Sequence, residues 1–208
     1  MRLAVAIVLG ASVALSAQQP ATRNAQVETR RVTMSLDREI AGIAATSAEP
    51  LWVGWREAAA PGSVSQCAAV LEGGDGLVPP ATAADVVVML RITDHAVERV
   101  RTFAGDCPID AGGRRIYWLD GVSSADSVKY LRSLIVLAEP TGAPADLRRR
   151  LNSGATSAIG QHRDDSVDAL VELAKQSQDT TTRASAFSFL GRSKDPKAVA
   201  FIDGILKR

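Results

Sequence analysis

Gly121-Val122-Ser123-Ser124-Ala125-Asp126-Ser127-Val128-Lys129-Tyr130-Leu131-Arg132-Ser133-Leu134 returns 39 residues later as Gly160-Gln161-His162-Arg163-Asp164-Asp165-Ser166-Val167-Asp168-Ala169-Leu170-Val171-Glu172-Leu173. Six of the fourteen positions are identical: the glycine, the Asp-Ser-Val triplet and two leucines. These are positions that a helical repeat needs. Glycine suits the left-handed residue that ends a helix. Asp and Ser cap the next helix, and leucines three apart share one helical face. Periods of about 20–50 residues mark stacked supersecondary units.

Towards the C-terminus a third segment follows, Phe189-Leu190-Gly191-Arg192-Ser193-Lys194-Asp195-Pro196-Lys197-Ala198-Val199-Ala200-Phe201-Ile202. It aligns with Ala158-Ile159-Gly160 and Asp164-Asp165 at an offset of 31. Pro196 suits the first position of a helix. Leu170, Leu173 and Ala174 form one apolar stripe, Ala184, Phe187 and Leu190 a second, and Phe201, Ile202 and Ile205 a third. Such units bury their apolar faces against one another. The run from Ala186 to Val199 resembles the short HEAT repeats of the PBS-lyase-like type. That resemblance covers residues 155–208 and extends faintly back to Trp118, with the extra residues of the first offset placed in a loop over Glu139–Pro144. The chain is also similar in arrangement to secreted bacterial proteins that carry HEAT repeats. The resemblance implies a C-terminal α-solenoid over 120–208 that acts as a scaffold, and it implies no activity.

Towards the N-terminus the periodicity changes. Ser35 to Thr46 reads as a helix, with Leu36, Ile40, Ile43 and Ala44 at helical spacing. Leu51-Trp52-Val53-Gly54-Trp55 reads as a strand, and alternation puts its two tryptophans on opposite faces. Glu72-Gly73-Gly74-Asp75-Gly76 marks a loop. Val86 to Ile92 is a β-branched strand, Asp94-His95 a tight turn, and Ala96 to Phe103 the return strand. A two-residue turn places Arg91 opposite Glu98. Arg114 to Leu119 supplies a third strand. The expected fold is therefore α+β. A signal peptide (1–17) and a loose arm (18–34) precede a small α/β portion with an antiparallel meander (35–119), which caps the helical repeats (120–208).

Met1-Arg2, the apolar run Leu3–Leu15 and the small pair Ser16-Ala17 have the order of a secretory signal. The run falls short of the roughly 20 residues that cross a bilayer, so the mature chain carries no expected membrane span and the protein is expected to be secreted or periplasmic. Removing Arg2 leaves 23 basic residues against 23 acidic ones. That balance gives no electrostatic case for nucleic acid. Cys67 and Cys107 are the two cysteines, and an oxidising compartment favours pairing them. The bridge would stabilise by about 3–4 kcal/mol in the chain-entropy model.

Catalytic patterns are scarce. His95 and His162 are the only histidines, and neither is followed by Glu as in the iron hydroxylases that resemble HEAT arrays. Two histidines and two paired cysteines leave too few ligands for zinc, and no Ser lies in Gly-x-Ser-x-Gly. No cofactor or metal is expected. His162 reads as a solvated histidine in a turn. Arg148-Arg149-Arg150 is the sharpest charge run, and with Lys175 it is the expected contact surface for a partner. The expected function is a non-catalytic scaffold that binds an unidentified protein. The alternative is a small periplasmic lyase or hydrolase.

Overall fold

Trp52 and Trp55 both lie at 0 % exposure, on opposite faces of the strand β3 (Leu51–Ala58). A strand so buried needs cover on both sides, and the chain supplies it. The computed structural model describes residues 19–66, 69–71, 80–82, 84–139, 141 and 144–207. The signal segment, Cys67 and the Glu72–Gly76 loop lie outside them. Five long strands form a mixed sheet in the order β2 (Gln26–Arg31), β10 (Arg115–Asp120), β3, β7 (Asp85–Thr93) and β8 (Ala96–Ala104). Short strands β4 (Val64–Gln66) and β6 (Pro80–Thr82) extend it beyond β8. Val53, Trp55, Val88, Leu90, Tyr117 and Leu119 face the helices. Trp52, Val87, Met89, Phe103, Ile116 and Trp118 face the other way, with Leu71, Ile109 and Ala111. A small sheet of β1 (Thr22–Arg23), β9 (Ile109–Asp110) and β5 (Ala69–Val70) accompanies this second cluster. Burial on both faces explains why β7 reads as an unbroken apolar run.

The turn between β7 and β8 is where the sequence puts it, with Asp94 and His95 both at positive φ, as a two-residue hairpin turn requires. The register carries an extra residue, however. Arg91 lies opposite Arg99, and the register shifts between Arg91 and Ile92. Glu98 falls in this irregularity and still approaches Arg91 at 3.7 Å. The expected antiparallel meander does not form. The third strand, β10, pairs parallel with both β2 and β3, on the far side of β3 from β8. Its Ile116 and Trp118 need one buried face and its Tyr117 and Leu119 the other, which the sheet interior supplies. The arm over residues 26–31 is the edge strand β2.

The expected HEAT-like solenoid is not present. Helices α1 (Leu36–Thr46), α2 (Ser124–Ser133), α3 (Ala145–Gln161), α4 (Ser166–Gln176), α5 (Thr180–Arg192) and α6 (Pro196–Leu206) share one core with the sheet. The 17-residue α3 packs on β8 as well as on α5. A Cβ added to Gly154 would fall 2.5 Å from the Val100 carbonyl oxygen. The repeated glycines have different roles from those the periodicity suggests. Gly121 (φ +80°) follows a strand, β10, and so ends no helix. Gly160 lies inside α3, where its missing side chain leaves room for the Phe189 ring. The aspartates of the repeated Asp-Ser do not cap through their side chains: Asp126 lies inside α2, whose cap is Ser123, and Asp165 makes no cap bond. Asp179 and Asp195 do cap, each carboxylate accepting from a first-turn backbone N–H, at 3.1 and 2.7 Å.

Cys107 is buried in the connection from β8 to β9. The backbone flanking Cys67 pairs with the backbone flanking Cys107, Gln66 opposite Phe103 and Ala69 opposite Ile109. A bridge between them predicts that denatured protein takes up no alkylating reagent before reduction and two equivalents after it, read by mass. Gly154→Ala tests the sheet contact. Alanine in a free helix face would gain up to about 1 kcal/mol. Against the Val100 carbonyl it should instead destabilise by roughly 1–3 kcal/mol in urea unfolding.

Candidate functional site

The repeated Asp-Ser-Val places two serines on two helix N-termini, Ser127 on α2 and Ser166 on α4. Both bond to one residue in the α3–α4 turn. Ser127 Oγ lies 2.8 Å from His162 Nε2, and Ser166 Oγ donates to the His162 carbonyl at 3.2 Å. Ser124 Oγ donates to the Asp164 carbonyl next to it, at 3.0 Å. The same turn is stitched to the end of β3. Ala60 N donates to the Gln161 carbonyl at 2.8 Å and Arg163 N to the Ala58 carbonyl at 2.9 Å.

His162 is therefore not a solvated turn residue. It is 1 % exposed. Its Nδ1 lies 2.7 Å from the Ala158 carbonyl, which can only accept, so Nδ1 carries the proton. Nε2 is then an acceptor, and the Ser127 hydroxyl donates to it. Trp55 Nε1–H donates to Ser127 Oγ at 2.8 Å. Burial pushes the imidazole below its ordinary range, which favours the neutral ring. Glu57 lies two residues after Trp55 on the same face of β3 and is 7 % exposed. Burial, with Asp165 and Asp164 nearby, pushes its carboxyl up to about 8, and the polar groups of Ser127 and Trp55 oppose this only in part. One of its oxygens, Oε1, has no hydrogen-bond partner among the described residues.

A serine bonded to a histidine suggests a nucleophile and its base. The remaining geometry does not fit that use. Ser127 is 0 % exposed, and its oxygen already receives the Trp55 N–H. The outer imidazole nitrogen is held by a backbone carbonyl where an orienting acid would sit. The group acts as a buried clasp joining β3, α2 and the end of α3.

In front of the clasp lies a cavity of about 690 Å³. It is bounded by the loop Ala60–Ser63, the α3–α4 turn and the α5–α6 turn. Val167, Leu170 and Phe189 supply its apolar surface, and Arg163, Arg192 and Lys194 its cations. The Arg192 guanidinium lies 4.8 Å from the centroid of the Phe189 ring. None of Arg148, Arg149, Arg150 or Lys175 lines this cavity. The three arginines are exposed near the N-terminal end of α3, with Arg149 paired to Asp146 at 2.7 Å. Lys175 lies on the last turn of α4, its ammonium 5.3 Å from the centroid of the Phe201 ring. Sequence reasoning missed Arg163, Arg192 and Lys194 because they come from two turns that lie far apart in sequence. It read Ser127 and Ser166 only as capping residues. No family model, curated protein or solved structure matches the chain.

The raised Glu57 carboxyl has a definite pH signature. The folded protein keeps this proton up to about pH 8, whereas an unfolded glutamate loses it near 4.5. Stability therefore falls as pH rises from about 4.5 to 8. Glu57→Gln should remove this slope and be more stable than the parent at pH 8.5, by on the order of 3 kcal/mol. Urea unfolding at pH 5, 7 and 8.5 checks it, and parallel pH profiles for the two proteins would refute it.

Proposed function

We propose that the chain is an exported, non-catalytic module that binds a segment of another protein in the cavity between the β3–β4 loop and the α3–α4 and α5–α6 turns. The observation that carries this reading is the cavity itself. Its volume lies within the roughly 300–1,000 Å³ of ligand sites, and it joins an apolar floor to a few polar groups. It is also preorganised, because the hydrogen-bonded clasp fixes the turn behind it and Gly160 fixes Phe189 within it. Export rests on the signal-like order of residues 1–17. The absence of catalysis is supported by the inaccessibility of the Ser127–His162 pair. The hydrolase alternative draws on that same 2.8 Å contact, and it predicts labelling of Ser127 by a fluorophosphonate.

A cavity-filling variant tests the binding reading. Ser157 lines the cavity, and Ser157→Trp should occupy it. Purified parent protein should enrich a partner from the native envelope fraction, and the filled variant should lose that partner. Equal enrichment by both proteins, enrichment by neither, or fluorophosphonate labelling of Ser127 would contradict it.

A further inference from the structure

We propose that this cavity recognises an acidic segment: carboxylates of an extended peptide meet Arg163, Arg192 and Lys194 while its aliphatic side chains rest on Phe189 and Val167. This inference rests on the binding-module reading above and names the chemistry of the partner. Three cations line one cavity in a chain whose formal net charge is only +1, so the local excess does not reflect a generally basic surface. Neither Arg192 nor Lys194 has a carboxylate partner among the described residues. Arg192 donates Nε–H to the Ser188 carbonyl at 3.2 Å, which leaves its terminal N–H groups for a ligand. Arg163 meets Asp164 at 3.3 Å, and this exposed pair contributes little by itself.

The acidic side of the cavity is already engaged. Asp195 is its one carboxylate among the lining residues, and that group accepts from Lys197 N at the start of α6. His162 is neutral, with both ring nitrogens hydrogen-bonded. An anion entering the cavity therefore meets three cations against one lining carboxylate, which is engaged at the start of α6. The apolar floor strengthens those contacts by excluding water. It also selects the ligand class. A bare phosphate or a nucleic-acid backbone would leave Val167 and Phe189 uncovered, whereas a peptide that mixes Glu or Asp with Leu or Val uses both surfaces.

The test uses the mature chain and fluorescein-labelled peptides read by anisotropy. The probes are a twelve-residue peptide of alternating Glu and Leu, the same peptide with Gln for Glu, and free N-acetylglutamate as a competitor. The Glu peptide should bind, the Gln peptide should bind at least roughly tenfold more weakly, and the affinity should fall as salt rises. The double variant Arg192→Gln/Lys194→Gln alters two exposed side chains and should lose at least about tenfold in affinity. Lys194→Glu alone should do the same if the double variant does not fold. Equal binding of the Glu and Gln peptides, or competition by N-acetylglutamate as tight as by the peptide, would overturn the proposal. So would no peptide binding alongside partner capture that the filled variant abolishes, an outcome that leaves the binding-module reading intact. Failure of both peptide binding and capture would remove that reading as well.

Discussion

A short chain of buried hydrogen bonds, from the Trp55 indole through the Ser127 hydroxyl and the His162 imidazole to the Ala158 carbonyl, fixes how three elements of this fold meet. It links the central strand, the first helix after the sheet and the end of the helix that lies along the sheet. Each bond contributes only about 1 kcal/mol net, but leaving one of these buried groups unpaired costs about 1–3 kcal/mol. The chain thus acts as a constraint on geometry more than as a store of stability. It permits one placement of the α3–α4 turn, and that turn forms one wall of the cavity.

The internal repeat takes its meaning from this constraint. Asp126-Ser127-Val128 and Asp165-Ser166-Val167 are alike because each lies near the start of a helix that packs a buried serine against the same histidine. The leucines that follow, Leu131 and Leu170, enter one shared core. The segments before the two triplets differ, a strand in one case and a helix in the other. Period and identity in a sequence report the common part of two environments. They do not report that the first unit leans on a sheet, and a stacked array was therefore the wrong inference from a real pattern.

Other features were legible for local reasons. The opposite faces of Trp52 and Trp55, the Asp94-His95 turn, the helix over residues 36–46 and the helix start at Asp195-Pro196 all depend on neighbours close in sequence. The position of β10 was not legible, because a parallel strand is placed by a crossover and by burial on both of its faces. The cavity was not legible either. Its cations come from two turns that the fold brings together, while the conspicuous arginine triplet lies elsewhere on α3. His162 looked solvated because polar residues surround it in sequence, and its burial arises from α2 and β3, which are distant along the chain.

The state of the His162 ring tests this account most directly. Nitrogen-15 chemical shifts of the imidazole, followed from pH 5.5 to 8, report both its tautomer and its titration. A ring whose neutral form keeps the proton fixed on Nδ1, and whose titration lies below the ordinary histidine range, is the predicted result. A ring that exchanges tautomers and titrates near 6.5, as an unperturbed histidine does, would contradict the clasp and the placement of the cavity that depends on it.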